Sequence, residues 1–255
     1  MKKKVNTVFL LLICSQIIVA QTVNLNTDWQ FRQAGTEKWF PATAPGQVHT
    51  DLLENQLIDD PFIYANYKKV QWIGFKDWEY RTEFDIDKNI LEKEKIELVF
   101  PGLDTYADVY LNDFMILTAD NMFRNWRVDA KNYLKKGKNT LRITFKSVYK
   151  VDLPKYMDAP FELKAWQNND QSDIFLSLYA RKAGYHYGWD WSARFLSCGV
   201  WKMPFVDAWN KLKIVGVHIF TEKIQKNDAF LRAIFEVEST ENQNNTNFKI
   251  ENKNN

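Results

Sequence analysis

Apolar and polar side chains alternate along several short stretches in the middle of the chain. Alternation with a period of two residues is typical of a β-strand with one buried face. Turn sequences separate the stretches at intervals of roughly ten residues, so the pattern predicts an all-β sandwich or barrel. The predicted strands cover residues 80–86, 96–100, 107–111, 114–117 and 140–145, with turns at 101–104, 112–113 and 135–139.

Helical patterns are few. A short helix is predicted over residues 48–56, where Val48, Leu52 and Leu53 share one side with Leu57. Residues 129–135 predict a single helical turn. Residues 152–180 contain two prolines and a polar run, and they predict a long irregular excursion. Long structured loops of this kind often carry function.

The pattern of strand-like runs predicts a domain boundary near residue 210. The strand-like run 200–209 closes a first unit, and two further strand-like runs at 213–220 and 229–237 open a second. The tail after residue 241 is rich in Asn and Gln and has little apolar surface to bury. Because two strands alone are marginally stable, the second unit is expected to be the incomplete start of another sandwich.

The first twenty residues are predicted to be a cleavable secretory signal peptide. Three lysines precede an apolar run that ends at the small residue Ala20. The run is short for a membrane span, so we expect an exported chain, periplasmic or extracellular, without a transmembrane segment. Removing three lysines from 34 basic and 32 acidic side chains leaves the mature chain near neutrality, which gives no general attraction to nucleic acid.

Several kinds of site are excluded by their missing motifs. The sequence has no glycine-rich phosphate loop and no G-x-S-x-G serine motif. Its three histidines lie far apart in sequence, and no ligand pattern predicts a metal. We therefore expect neither a metal nor a cofactor. After removal of the signal only Cys198 remains, so no internal disulfide is expected.

The most unusual stretch is YHYGWDWSARF, residues 185–195, which we name the W-D-W loop. One interpretation is a buried corner whose aromatic rings fill the space between sheets. The other is a carbohydrate contact, because sugar C–H faces stack on indole rings and sugar hydroxyls hydrogen-bond to a carboxylate. Gly188 would allow a sharp turn. Arg181 and Arg194 could pair with nearby acids and hold the loop.

Four segments in order and spacing resemble the β-mannosidase type of family 2 glycoside hydrolases. The resemblance covers about residues 24–210 and continues more weakly to about 240. The segments are PGQVHTDLL at 45–53, PGLDTYADVYLN at 101–112, NMFR at 121–124 and RKAGYHYGWDW at 181–191.

The resemblance implies an architecture and an activity. Residues 21–210 would form a jelly-roll, galactose-binding-like β-sandwich, and residues 211–255 would begin an immunoglobulin-like sandwich that a TIM barrel follows in the family. Such enzymes remove terminal, non-reducing β-linked mannose with retention. Two barrel glutamates about 5 Å apart perform the chemistry. The partner would therefore be a β-mannoside oligosaccharide or glycan.

The resemblance also implies roles for the residues of the loop. Trp189 would shape the wall of the terminal-mannose subsite, and Asp190 would accept hydrogen bonds from the sugar hydroxyls. Support of the loop would come from its flanking side chains, namely Arg181, Tyr185, His186, Trp191 and Arg194. No catalytic residue is assigned within this chain, because both glutamates would lie in the barrel.

Two departures from the family pattern bear on these roles. Ser192-Ala193 stands where the family usually has Gly-Pro before the arginine, so a stiffening proline is lost. Lys202 stands where arginine is usual, and lysine lacks the fork that grips a carboxylate. His49 is interpreted as capping or satisfying the short helix, and residues 121–124 as packing the edge of the sandwich.

Nothing after Phe248 could supply the barrel, so this chain alone is expected to be inactive as a hydrolase. Two alternatives stay open at this point. One is a stand-alone carbohydrate-binding module, which would bind sugar in isolation. The other is an inactive product of a truncated gene, in which case the DNA just downstream would encode the missing domains.

Overall fold

The computed structural model describes residues 20–161, 163, 170–189, 192–226 and 228–241. The chain divides into two compact units, of which the larger is Gln21–Ala208 and the other begins at Trp209. Among the described residues, no helix is both long and apolar enough to cross a membrane. The predicted signal peptide, apart from Ala20, lies outside the described residues.

The larger unit is a sandwich of two main sheets. The six-stranded sheet has the order β3-β2-β4-β10-β7-β8, and the four-stranded sheet has the order β1-β12-β5-β9. A third, two-stranded sheet pairs β6 with β11. The strands are β1 Gln21–Asn24, β2 Trp29–Gln33, β3 Phe40–Ala42, β4 Trp78–Ile86, β5 Lys95–Phe100, β6 Leu103–Asp104, β7 Tyr106–Leu111, β8 Phe114–Asp120, β9 Trp126–Asp129, β10 Gly137–Phe145, β11 Gly199–Val200 and β12 Phe205–Trp209.

Alternation along the central strands creates the core. In β10, Leu141, Ile143 and Phe145 are buried while the residues between them are half-buried. β10 pairs antiparallel with β4 along its whole length, from Gly137 opposite Ile86 to Phe145 opposite Trp78. These apolar faces join one cluster with Leu98 and Phe100 of the four-stranded sheet. The predicted all-β class follows directly from this pattern.

The turn predicted at Asn112-Asp113 is confirmed. Both residues have positive φ angles, 48° and 69°, as a tight hairpin turn between β7 and β8 requires. The Asn112 amide also donates hydrogen bonds to the carbonyl oxygen of Tyr133 and to Oδ1 of Asn139, both at 2.8 Å. The turn is therefore fixed by its own side chain as well as by its backbone.

Helices are short, as expected, but three of the four α-helices were not predicted. They are α1 Val48–Glu54, α2 Asn66–Lys69, α3 Lys88–Leu91 and α4 Val148–Asp158, with 3-10 turns at Gln71–Phe75 and Gly184–Tyr187. α4 overlaps the start of the stretch predicted to be irregular, so that prediction was wrong for residues 152–158. Ser147 caps the helix by accepting from Tyr149 N, and the buried Asp152 accepts from the Tyr106 hydroxyl at 2.6 Å. These tertiary contacts offset the backbone hydrogen bond that Pro154 removes.

The second unit contains two described strands. β13 Leu212–Gln225 pairs antiparallel with β14 Asp228–Ser239 through two register shifts. These strands cover the two runs predicted at 213–220 and 229–237. Their assignment to an immunoglobulin-like domain stays a prediction.

Helix α1 is attached to the sheet by a buried carboxylate. Asp51 is completely buried, accepts the Tyr80 hydroxyl at 2.5 Å and accepts the Thr43 N–H at 2.8 Å. Burial disfavours the charged form and raises the pKa of Asp51 from 3.8 to about 6, although both hydrogen bonds lower it. The folded protein therefore holds a proton here that the unfolded chain releases near pH 4.

We predict that Asp51→Asn changes how stability depends on pH. The raised pKa gives wild type a stabilising contribution that is complete below about pH 4 and is lost as pH rises through about 6. Asparagine does not ionise, so the variant should gain about 2 to 3 kcal/mol relative to wild type between pH 4 and pH 7. Urea unfolding at several pH values measures this difference. A stability difference between variant and wild type that stays constant with pH would contradict the prediction. Asp85→Asn, on the exposed sheet face, is the control.

Candidate functional site

The W-D-W loop begins with a tight backbone turn that only glycine fits. After the 3-10 turn Gly184–Tyr187, Gly188 has a φ of +100°. A Cβ atom at this position would lie 2.8 Å from Cγ and Cδ of Gln171. Gln171 N–H donates to the Tyr187 carbonyl at 2.9 Å, and its side-chain amide donates to the Trp189 carbonyl. Gln171 therefore fills the space beneath the turn and fixes its path.

The tip of the loop is closed by a pair of backbone hydrogen bonds. Trp189 N–H donates to the Ser192 carbonyl at 3.0 Å, and Ser192 N–H donates to the Trp189 carbonyl at 3.1 Å. The Trp189 side chain is 41% exposed. Asp190 and Trp191, which stand between them in sequence, lie outside the described residues. Their assigned roles stay predictions.

Arg194 lies buried at the base of the loop. Its Nη1 donates to the Tyr149 hydroxyl at 2.6 Å, and its guanidinium lies 5.2 Å from the centre of that ring. Nε lies 3.4 Å from Oδ1 of Asp170, a contact between charges without hydrogen-bond geometry. Burial raises the pKa of Asp170, while a backbone hydrogen bond from Ser177 and the charge of Arg194 lower it. Arg194 is thus fixed by Tyr149 and Asp170, and its role in supporting the loop stays a prediction.

Arg181 lies at the edge of the sandwich. Its side chain is largely exposed and lies 3.7 Å from Asp120. Its carbonyl accepts the N–H of Met122 at 3.0 Å, and the Met122 sulfur accepts the N–H of Ala183 at 2.9 Å. Arg181 is therefore linked to buried Met122 through its backbone, while its guanidinium is largely exposed, and its role in supporting the loop stays a prediction.

A buried charged network lies behind the loop. The Lys182 side chain has no exposure and donates to Oδ1 of Asp104 and, at 2.6 Å, to the Ser197 carbonyl. Thr105 donates its hydroxyl to the same carboxylate. His186 Nε2 lies 3.4 Å from the second oxygen of Asp104. The network joins β6, Lys182 and the start of the loop in one ion-paired cluster.

Both histidines near this network are neutral at physiological pH. Burial, with a contribution from the Lys182 charge, lowers the pKa of His186 to about 4, although Asp104 acts in the opposite direction. Burial, His186 and Lys182 lower the pKa of His49 to about 3. The His186 ring also lies against the carbonyl of Phe195, at 3.1 Å from Nδ1. The rings therefore act as neutral hydrogen-bonding groups.

His49 has a different role from the helix cap that we considered. The N-cap of α1 is Gln47, and no side chain caps it. The Nδ1 atom of His49 instead lies 3.0 Å from the Ser197 hydroxyl, 148 residues away, and its ring packs edge-on against Phe195. These contacts agree with the alternative interpretation, in which His49 provides hydrogen bonding and packing for neighbouring groups.

The loop and helix α1 enclose a small cavity of about 220 Å³. Tyr185 stands at its rim, 67% exposed, with its ring 4.6 Å from that of His186. In the described part of the chain, no group of three or more potential metal ligands comes together. The lining is formed by Gln47, His49, Thr50, Leu53, Pro61, Phe62, Tyr185, His186, Ser192, Ala193, Phe195 and Ser197.

Sequence reasoning missed the buried side chains behind the loop. Asp104 and Lys182 both lie within segments that carry the family resemblance. Aspartate and lysine are usually exposed, so the sequence did not predict that these two side chains are buried. Gln171 lies in the stretch predicted to be irregular. Long-range pairing, such as the 78 residues between Asp104 and Lys182, leaves no periodic signal in the sequence.

We predict that Lys182→Met strongly destabilises the larger unit. The substitution leaves the Asp104 carboxylate buried without its cation, and breaking a buried ion pair in this way costs about 3 to 5 kcal/mol. Adding Asp104→Leu should recover part of the loss, since the unpaired charge is then removed. Urea unfolding of both variants measures this. Lys138→Met breaks only the exposed pair with Glu83 and should unfold like wild type; equal losses in the two lysine variants would contradict the prediction.

Known proteins resemble this chain over most of its length. The β-mannosidase B of Thermothelomyces thermophilus is 40% identical over 183 residues, which are 71% of this chain and 21% of that protein. The β-mannosidase of Mus musculus is 30% identical over 199 residues, 76% of this chain and 22% of that protein. The chain thus spans about a fifth of the length of the curated relatives it matches.

Solved structures agree with the fold. The β-D-mannosidase of Dictyoglomus thermophilum matches with a TM-score of 0.81 and 34% identity, over 87% of this chain and 26% of that chain. An exo-chitosanase from Amycolatopsis orientalis has a TM-score of 0.59 at 17% identity, over 87% of this chain and 24% of that chain, which shows a shared fold alone. The predicted all-β sandwich is confirmed.

A family profile locates the resemblance within the larger unit. Residues 29–202 match the profile described as the glycosyl hydrolase 2 galactose-binding domain-like family. This range includes β2 to β11 and the whole W-D-W loop. The chain therefore belongs to glycoside hydrolase family 2, and it corresponds to the N-terminal, galactose-binding-like portion of its β-mannosidases.

Proposed function

We propose that this chain is the sugar-recognising N-terminal portion of an exported, retaining exo-β-mannosidase. The substrate class is a glycan with a terminal, non-reducing β-D-mannose. Two observations support the proposal: the similarity to β-mannosidases, and the W-D-W loop, which holds a half-exposed tryptophan on a rigid turn. The second is the observation that carries the assignment of the site.

The construction of the loop suits contact with a sugar. Trp189 offers an indole face for stacking, and its backbone is fixed by Ser192 and by the Gln171 amide. A rigid aromatic group loses little conformational entropy on binding. In this proposal Asp190 accepts hydrogen bonds from the sugar hydroxyls, while the other side chains of the loop support these two.

The structure behind the loop favours recognition of a neutral ligand. Lys182 is paired with Asp104, and the nearby imidazoles of His49 and His186 are uncharged. The charges of the network are thus balanced among themselves and are buried away from the loop surface. In this proposal the hydrolytic chemistry belongs to two carboxylates of a catalytic barrel, and this chain contributes binding energy to the reaction.

A stand-alone carbohydrate-binding module is the second candidate. The match to a galactose-binding-like family favours it. It requires that the isolated chain bind β-mannosides without any other domain. Calorimetric titration with methyl β-D-mannopyranoside decides the matter, since a lack of binding heat rejects the module and leaves the enzyme portion intact.

We predict that Asp190→Ala impairs catalysis when the chain is fused to the downstream domains of the Dictyoglomus thermophilum β-D-mannosidase. Loss of a charged hydrogen-bond acceptor should lower kcat/KM for a β-mannoside by at least about 30-fold, equivalent to about 2 kcal/mol. Asp85→Ala, on the exposed sheet face, is the matched control and should keep the activity of the parent fusion. A decrease of less than about threefold for Asp190→Ala would mean that the loop has a structural role only.

We also predict that the exported protein begins at Gln21. Residues 2–4 are basic, the following run is apolar, and Ala20 is a small residue suited to cleavage. Mass spectrometry of the secreted protein should therefore find the N-terminus at Gln21. Replacing Ala20 with a bulky residue should slow processing and leave the unprocessed chain with the membrane fraction. Retention of Met1 in the secreted protein would contradict the prediction.

A further inference from the structure

A groove lined by aromatic side chains lies directly beside the tip of the W-D-W loop. Its volume is about 430 Å³, within the range of about 300 to 1,000 Å³ that is typical of small-molecule sites. Among the described residues, no charged side chain lines it. We name it the aromatic groove, and its lining consists of Pro61, Phe62, Tyr64, Tyr67, Gln171, Ser192 and Ala193.

The two walls of the aromatic groove are tied together by one side chain. The amide of Gln71 donates to the carbonyl of Tyr67 at 2.7 Å and to the carbonyl of Arg194 at 2.8 Å. The first carbonyl belongs to the segment that carries the tyrosines, and the second belongs to the W-D-W loop. The spacing between the walls is therefore set by the fold, independently of any ligand.

The tyrosine-bearing segment is also organised internally. Asp60 accepts the N–H of Phe62 at 2.9 Å through its carboxylate and, through its carbonyl, the side-chain amide of Asn66 at 2.9 Å. Tyr64 has a φ of +51°, a left-handed conformation that is uncommon outside glycine. A residue held in this conformation is a frequent feature of ligand-binding segments.

Two aromatic rings of the groove, those of Phe62 and Tyr64, are largely exposed to solvent. Tyr64 is 97% exposed and Phe62 is 81% exposed. Apolar surface of this size, concentrated beside the exposed Trp189, is what ligand-binding grooves present to solvent. A stability requirement alone does not account for two such rings in one short segment.

We propose that the aromatic groove binds a second pyranose ring of the glycan whose terminal mannose contacts the W-D-W loop. This inference rests on the proposed function and extends it to a preference for oligosaccharides. Tyr64 and Tyr67 offer faces for the C–H surface of a sugar, while the Gln171 amide and the Ser192 hydroxyl offer hydrogen bonds. The uncharged lining fits a neutral sugar better than a phosphorylated or acidic one.

Ser192 and Ala193 make the lining of the groove differ from the usual family sequence. They line both the aromatic groove and the cavity of about 220 Å³, as Pro61 and Phe62 also do, so the two spaces adjoin here. The family resemblance would place Gly-Pro here. The Ser192 hydroxyl is therefore a polar group that the usual family sequence does not supply at this wall.

The test compares two sugars on the intact chain by NMR of its aromatic rings. Methyl β-D-mannopyranoside should shift the ring signals of Trp189 alone, whereas β-1,4-mannobiose should shift those of Trp189, Tyr64 and Tyr67. Tyr64→Ser and Tyr67→Ser should each weaken the binding of mannobiose about fivefold, the scale of one aromatic stacking contact. Neither variant should change the dissociation constant of the monosaccharide by more than about twofold.

Phe114→Ser is the matched control, since Phe114 is a 60% exposed aromatic residue on the β7–β8 hairpin, outside the groove. Tyrosine signals that stay silent while Trp189 responds would overturn the second-ring proposal and leave the proposed function standing. Tyrosine signals that respond without Trp189 would reject the proposed function and retain the groove as a separate sugar site. Silence of all three with both sugars would overturn the second-ring proposal, while the proposed function would still be decided by the Asp190→Ala fusion.

Discussion

The geometry of the site depends on the buried ion pair between Lys182 and Asp104. Both side chains are almost without solvent contact, so neither charge is stabilised by water. The pair is tolerated because hydrogen bonds satisfy it further: Thr105 donates to the carboxylate, and Lys182 also donates to the Ser197 carbonyl. Any displacement of one partner would expose the other to an apolar interior. The positions of β6 and of the segment before the W-D-W loop are therefore coupled.

This coupling extends to the surface through neutral groups. Burial, with a smaller contribution from the Lys182 charge, lowers the pKa of both His186 and His49, which leaves their neutral rings as hydrogen-bonding and packing groups. His186 contacts the Phe195 carbonyl, and Phe195 N–H donates to the His186 carbonyl at 3.0 Å. The two ends of the loop are thereby held side by side. Among the described residues, the charges of this network are buried, and the exposed part of the loop includes the indole of Trp189.

The sequence predicted those parts of the fold whose signals are local. Alternation in β4 and β10 and the positive-φ pair Asn112-Asp113 depend on neighbouring residues, and both were identified. The strands β1, β2, β3 and β9 have only three to five residues each and were missed. α4 was missed because Pro154 argues against a helix, while the cap at Ser147 and the contact between Asp152 and Tyr106 become apparent only in three dimensions.

In the candidate site too, features with a local sequence signal were predicted and those that depend on long-range contacts were missed. The aromatic composition around Trp189 drew attention to the loop, and the structure places Arg194 buried at its base. Gln71 and Gln171 gave no signal, because amide side chains that bridge distant backbone groups have no characteristic pattern. Yet these two residues determine what the exposed rings can do: Gln171 fixes the turn under Gly188, and Gln71 fixes the distance to the tyrosine segment. Exposed aromatic rings on a backbone fixed in this way are suited to binding a rigid ligand, since most of the ordering cost has been met during folding.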